Sequence, residues 1–163
     1  MFERYTEPAR RTIFFARYEA AQAGSPYMEP IHLLAGLLRE DKPLFWGLLG
    51  RQGALDGLRR EIDARMGTGA DKIGTSVDMP MSRECKQALH HAMDEADRTH
   101  SRTIGARHLL IGLLSLDSPA AQALNWIGVD AERVRRLAAT LDDVGTYGVE
   151  NDELSLETHR DCF

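Results

Sequence analysis

The chain has 163 residues, about one domain, with 43% hydrophobic and 28% charged residues, the balance of a soluble globular protein with a real core. No apolar run approaches the roughly 20 residues of a membrane span, and the opening MFERYTEPARR has no apolar signal-peptide core behind it, so a cytoplasmic protein without a membrane contact is expected. The net charge of −5 is uneven: residues 142–163 hold seven acids and one base (−6), whereas residues 1–141 hold 18 acids and 19 bases (+1), which leaves no basic footprint for nucleic acid.

In chain order, Thr6 is placed to cap a helix over Glu7–Ala23 that Gly24 ends. A second helix starts at Pro30 and carries IHLLAGLL to about Arg39. A third runs from Pro43 to about Arg51, and a fourth from about Leu55 to Met66. The stretch GTGADKIGTSVDMP has no helical period and is predicted to be a linker. Ser82 then caps a helix to Arg98 or Thr99, followed by Ala106–Ser115, Pro119–Trp126 and Ala131–Leu141. Nothing alternates at period two, so the expected fold is all-α.

The two halves repeat one another at an offset of 76. YMEPIHLLAGLLRED (27–41) meets TIGARHLLIGLLSLD (103–117) at seven identical positions; Thr6 meets Ser82, the EA pair at 19–20 meets that at 95–96, and the RR pair at 59–60 meets that at 135–136. The expected organisation is a double-repeat domain over 1–141, with repeat one at 1–66, a linker at 67–81 and repeat two at 82–141. The remaining 142–163 is expected to be an acidic, flexible tail, with a short helix around Glu153–His159 as one alternative and docking on the domain or a partner as another. The HLLxGLL helices are apolar nearly all round and belong in the interior, so two small cores related by a pseudo-twofold axis are expected. Gly36 and Gly112 cost helix propensity, which points to close approach by a neighbouring helix.

Chemistry-bearing residues mostly have plain readings. His32 and His108, repeat equivalents at the starts of the apolar helices, are expected to be hydrogen-bonded structural histidines; His90 and His91 sit on different helix faces and make a poor metal pair. No metal or cofactor is expected, Cys85 lacks a base–orienter pattern for a nucleophile, and Cys85 and Cys162 are expected to be reduced thiols. Glu19 and Glu95 read as solvated helix carboxylates, and Phe14, Phe15, Phe45, Trp46 and Trp126 as core or core-edge residues. Phe2 and Met81 each precede the first helix of a repeat and read as hydrophobic staples against it.

MFERYTEPARRTIFFARYEA, HLLAGLL, MPMSRECKQALHHAMDEA and IGARHLLIGLL, in this order, resemble the N-terminal domain of Clp ATPases, the ClpC type most closely. The resemblance implies eight helices in two tandem four-helix repeats and capture of substrates or adaptors for an unfoldase coupled to a proteolytic chamber. There is no GxxxxGK[ST], so the chain resembles the receptor domain without the motor: a non-enzymatic, monomeric peptide-binding accessory or adaptor. Its implied partners are Clp ATPase or protease components and substrate proteins or peptides. A regulator that docks on the Clp complex is the alternative, and a DNA-binding helical protein is a more distant one. In ClpC-type domains the motif before each apolar helix reads Gly-Thr-Glu-His, and its glutamate helps bind phosphorylated arginine. Here EPIH and GARH put Ile31 and Arg107 at the glutamate positions, and neither pairs with a guanidinium as a carboxylate does. The resemblance further implies a surface pocket for peptides in the neighbourhood of Phe2 and Met81, and the peptide-binding residues expected are Phe2, Thr6, Ile31, Met81, Ser82 and Arg107.

Overall fold

The computed structural model describes residues 2–50, 52–67, 71–74 and 78–140. Helices α1 (Glu7–Gln22), α2 (Pro30–Glu40), α3 (Lys42–Leu49) and α4 (Gln52–Met66) form the first repeat. The second contains α5 (Arg83–Arg98), α6 (Ala106–Leu114), α7 (Pro119–Trp126) and α8 (131–140). Among the described residues there is no β-strand, so the protein is all-α; the expected acidic tail at 142–163 lies outside them.

Seven of the helices, all but α4, start where a side chain takes up an orphan backbone N–H. The hydroxyls of Thr6, Ser82 and Ser118 accept from Ala9, Cys85 and Ala121 at 3.2, 3.1 and 3.3 Å. Asp41 and Asp130 do the same for α3 and α8, accepting from Leu44 and Arg133 at 3.2 and 2.8 Å. The apolar helices lack such a residue, and the histidine in their first turn reaches back instead. Nδ1 of His32 accepts the Glu29 N–H at 3.0 Å, and Nδ1 of His108 accepts the Gly105 N–H at 2.9 Å, as structural histidines would. Gly50 closes α3 in the left-handed region at φ 69°, which ends that helix two residues before the expected limit.

The α1–α2 and α5–α6 pairs pack most tightly, and the repeat glycines make that approach possible. A Cβ on Gly36 would stand 2.6 Å from both the Thr12 carbonyl oxygen and the Ala16 nitrogen. One on Gly112 would meet the Ala88 carbonyl and lie 2.9 Å from the Ala92 nitrogen.

Two expectations are corrected. The buried side chains form one contiguous core, not two: Leu33, Leu34 and Leu37 of α2 and Leu109, Leu110 and Leu113 of α6 belong to the same cluster, because α2 packs on α6 and α4 on α7 across the repeats. Of the five aromatics expected in the core or at its edge, only Phe45 is fully buried, with Phe15 half-buried. Phe14 (67% exposed), Trp46 and Trp126 face solvent, since the inner face of α1 is built from Ala9, Ala16 and Ala20, small enough for the close approach at Gly36.

Candidate functional site at the crossed repeat starts

The segment before each repeat's first helix pairs with the other repeat. Tyr5 forms an isolated parallel bridge with Ile104, and Met28 forms one with Met81. Thr6 N–H donates to the Ile104 carbonyl at 3.1 Å, and Ser82 N–H donates to the Met28 carbonyl at 3.0 Å. The offset of 76 turns one bridge into the other, as a pseudo-twofold axis requires. The expected site residues are thereby sorted into two composite places. Thr6 lies beside Ile104 and Gly105, just before α6, whereas Met81 and Ser82 lie beside Met28, just before α2.

The side chains differ in what they can offer. Phe2 and Met81 are half-buried against the core, Phe2 edge-on to Tyr5 with centroids 5.0 Å apart. Thr6 and Ser82 spend their hydroxyls on the helix caps. Ile31, only 3% exposed, is a core residue and presents no surface contact. Arg107 is half-buried and lines a cavity of about 190 Å³ with Glu95, Arg98, Thr99, His108 and Arg135. The two starts lie within electrostatic reach of each other: burial pushes the Tyr5 phenol up to about 12, and the Cys85 thiol, one turn into α5, adds to the shift. Burial pushes that thiol itself up to about 12, which suits packing and not nucleophilic attack. Among the described residues no three His, Cys, Asp or Glu side chains gather as a metal would need.

The carboxylates read from sequence as solvated are buried. Glu19 and Glu95 are each 6% exposed and hold the end of each repeat to its first helix. Arg59 grips both oxygens of Glu19 at 2.9 and 3.0 Å; Arg135, its repeat equivalent, grips Glu95 at 3.0 and 3.1 Å. Arg98 adds a second fork on Glu95 at 2.7 and 3.1 Å, and these bonds, Arg98's first, hold that carboxyl down at about 2. The signal was in the sequence: EA and RR both recur at the offset, a spacing of 40 residues that the fold closes. Glu19 has a weaker reserve, Arg39 at 3.7 Å, whose guanidinium stacks about equally on Phe15 and Tyr18 with centroids at 5.1 and 5.0 Å. Arg59→Ala is therefore expected to cost about 2 kcal/mol in a urea melt, the arginine heads being partly solvated, and Arg135→Ala about half as much, because Arg98 still neutralises Glu95. Equal losses would show that the second fork contributes nothing.

Beside Glu19 lies a larger cavity of about 430 Å³, floored by Leu38 and Leu55, walled by the exposed Trp46 and rimmed by Arg39, Lys42 and Asp56.

The sequence profile of the Clp repeat (R) N-terminal domain matches residues 4–125 and 80–157. Over 137 residues the chain is 31% identical to the chloroplastic chaperone protein ClpC1 of Oryza sativa subsp. japonica, covering 83% of this chain and 15% of that protein. A probable ATP-dependent Clp protease ATP-binding subunit of Chlamydia pneumoniae is 30% identical over 152 residues, 92% of this chain and 18% of its own length. The chain thus spans less than a fifth of these curated relatives. The N-terminal domain of the caseinolytic protease associated chaperone ClpD from Arabidopsis thaliana superposes with a TM-score of 0.67 at 26% identity, covering 88% of this chain and 97% of that one. The Hsp104 N-terminal domain from Candida albicans gives 0.68 at 18% identity, covering 86% and 92%, a likeness of fold alone. With its profile match, its duplicated helices and its superposition on such domains, the chain belongs to the Clp repeat (R) N-terminal domain family.

Proposed function

We propose that this chain is a non-enzymatic peptide-binding module that serves a Clp-type chaperone–protease system as an accessory or adaptor. The observation that supports the reading is the crossing of the repeat starts, Tyr5 with Ile104 and Met81 with Met28, beside which Met81 and, edge-on to Tyr5, Phe2 are half-buried apolar side chains. Apolar contact there would supply the affinity, at about 25 cal/mol per Å² buried. Thr6 and Ser82 hold the seams in shape, Ile31 backs one of them from the core, and Arg107 stands beside the other as a cation for acidic ligands. In this reading the module acts in the cytoplasm, as a monomer, on substrate proteins or Clp components; among the described residues no helix is long and apolar enough to cross a membrane.

The test is a peptide array probed with the protein and with Met81→Asp and Phe2→Asp variants that keep their helical circular dichroism. Apolar peptides are expected to bind, and each variant should weaken capture at least about tenfold, the loss of about 1.4 kcal/mol. Identical profiles for all three proteins would end the reading. Salt-sensitive retention on DNA with no peptide capture would favour the nucleic-acid alternative.

A further inference from the structure

Two cations and an indole ring meet at the cavity beside Glu19, and repeat two shows that the fold does not require them. The offset of 76 carries Arg39, Lys42 and Trp46 to Ser115, Ser118 and Gln122, and repeat two folds on the same plan with those small polar residues. In repeat one all three line the cavity of about 430 Å³ over a floor of Leu38 and Leu55. Trp46 is 50% exposed there, on a short helix whose other face already buries Leu44, Phe45 and Leu48, so the ring adds little to the core.

The charges around this cavity are unequally committed. Glu19 and Arg59 hold each other through two hydrogen bonds. Arg39 is positioned by the rings of Phe15 and Tyr18 and approaches Glu19 only to 3.7 Å, beyond hydrogen-bond length. The exposed Lys42 ammonium has neither an ion pair nor a hydrogen bond among the described residues. Asp56, also on the rim, disfavours a ligand with a second acid. Lys42 and Trp46 stand one turn apart on α3, about 5–6 Å between Cβ atoms. A ligand that meets both therefore carries a carboxylate and a bulky apolar group within one residue's reach. The last residue of a peptide does so, because its carboxylate and side chain branch from one Cα; inside an extended peptide, neighbouring side chains point to opposite faces. We propose that the cavity binds the C-terminal residue of a polypeptide, its apolar or aromatic side chain on Leu38 and Leu55 against Trp46 and its carboxylate on Lys42 and Arg39. The site lies toward the C-terminal ends of α1 and α2, away from the repeat starts, and does not depend on whether those bind peptides.

Trp46 can report on its own cavity. Trp126→Phe, a change at an exposed position, leaves it as the sole tryptophan of the full chain. Its emission is titrated with acetyl-Gly-Gly-Phe as the free acid, with the C-terminal amide of that peptide, and with acetyl-Gly-Phe-Asp amide, whose acid sits on the next residue. The free acid should give a saturable change, and the other two should bind at least about tenfold more weakly, the loss of a hydrogen bond to a charged group. Lys42→Gln, which removes an exposed side chain and should keep the helical circular dichroism, is expected to weaken the free acid by a similar factor and leave the amide unchanged. A general loss of structure would weaken both peptides alike. No saturable response to the free acid, equal affinity for acid and amide, tighter binding of the Asp peptide, or parallel losses in Lys42→Gln would each overturn the proposal.

Discussion

Gly112→Ala and Gly36→Ala are each expected to destabilise the protein by about 3 kcal/mol, although alanine favours a helix over glycine by about 1 kcal/mol. The new methyl would meet backbone: the Ala88 carbonyl and Ala92 nitrogen from α6, the Thr12 carbonyl and Ala16 nitrogen from α2. Backbone cannot rotate away as a side chain can, so the paired helices must separate, and the contacts along the whole α1–α2 or α5–α6 seam loosen with them. Gly57 is the internal control. It lies in α4, with no atom within 4 Å of where its Cβ would be and no positive φ. Gly57→Ala should therefore raise stability by about 1 kcal/mol. Denaturant midpoints on the three variants check the pair of signs. A neutral Gly112→Ala would mean that the helices can part without loss.

Stability is expected to fall as pH drops from 6.5 to 4, by about 3 kcal/mol in all, with His32 responsible. Its ring is 1% exposed and its Nδ1 accepts the Glu29 N–H, so the neutral ring carries its proton on the unpartnered Nε2, and a second proton would have to displace the Glu29 N–H and leave a buried cation. Burial pushes its pKa down from 6.5 to about 4, against the pull of the Glu19 carboxylate, which favours the charged ring. With the folded value below the unfolded one, the unfolded chain binds more protons across this window, and stability rises with pH there. The contribution is complete above about pH 6.5 and gone below about 4. Glu95 acts in a lower window: its carboxyl is held down at about 2, so its contribution is present above its ordinary 4.5 and is lost as pH falls toward 2. Melting curves from pH 8 to 3 should show the slope between 6.5 and 4.5 disappear in His32→Gln while the lower one remains. A flat parent profile between pH 7 and 5 would contradict the assignment.

The helix boundaries were legible in the sequence because caps are local. Thr6, Ser82, Ser118 and Asp130 each satisfy an N–H three residues away, within reach of any pattern reading. The close approach at Gly36 and Gly112 was legible as well, since a glycine inside an apolar helix has few other uses. The site was less so. Ile31 and Arg107 occupy the same repeat position, yet one is sealed in the core and the other lines a charged cavity. That difference depends on the surroundings: Ile31 is buried in the same core cluster as Ile62, whereas Arg107 shares a cavity wall with Ala138, the repeat equivalent of Ile62.

By itself the sequence determined the all-α class, the duplication and the places where helices start and stop, because those follow from periodicity and from hydrogen bonds between near neighbours. Only the tertiary structure decided how the copies meet. The starts are exchanged, Tyr5 to Ile104 and Met81 to Met28, and the two apolar helices share one core. It also decided that Glu19 and Glu95 are buried. A carboxylate on an amphipathic helix looks solvated until an arginine 40 residues away closes over it with two hydrogen bonds, and that partner comes within reach only once the chain has folded.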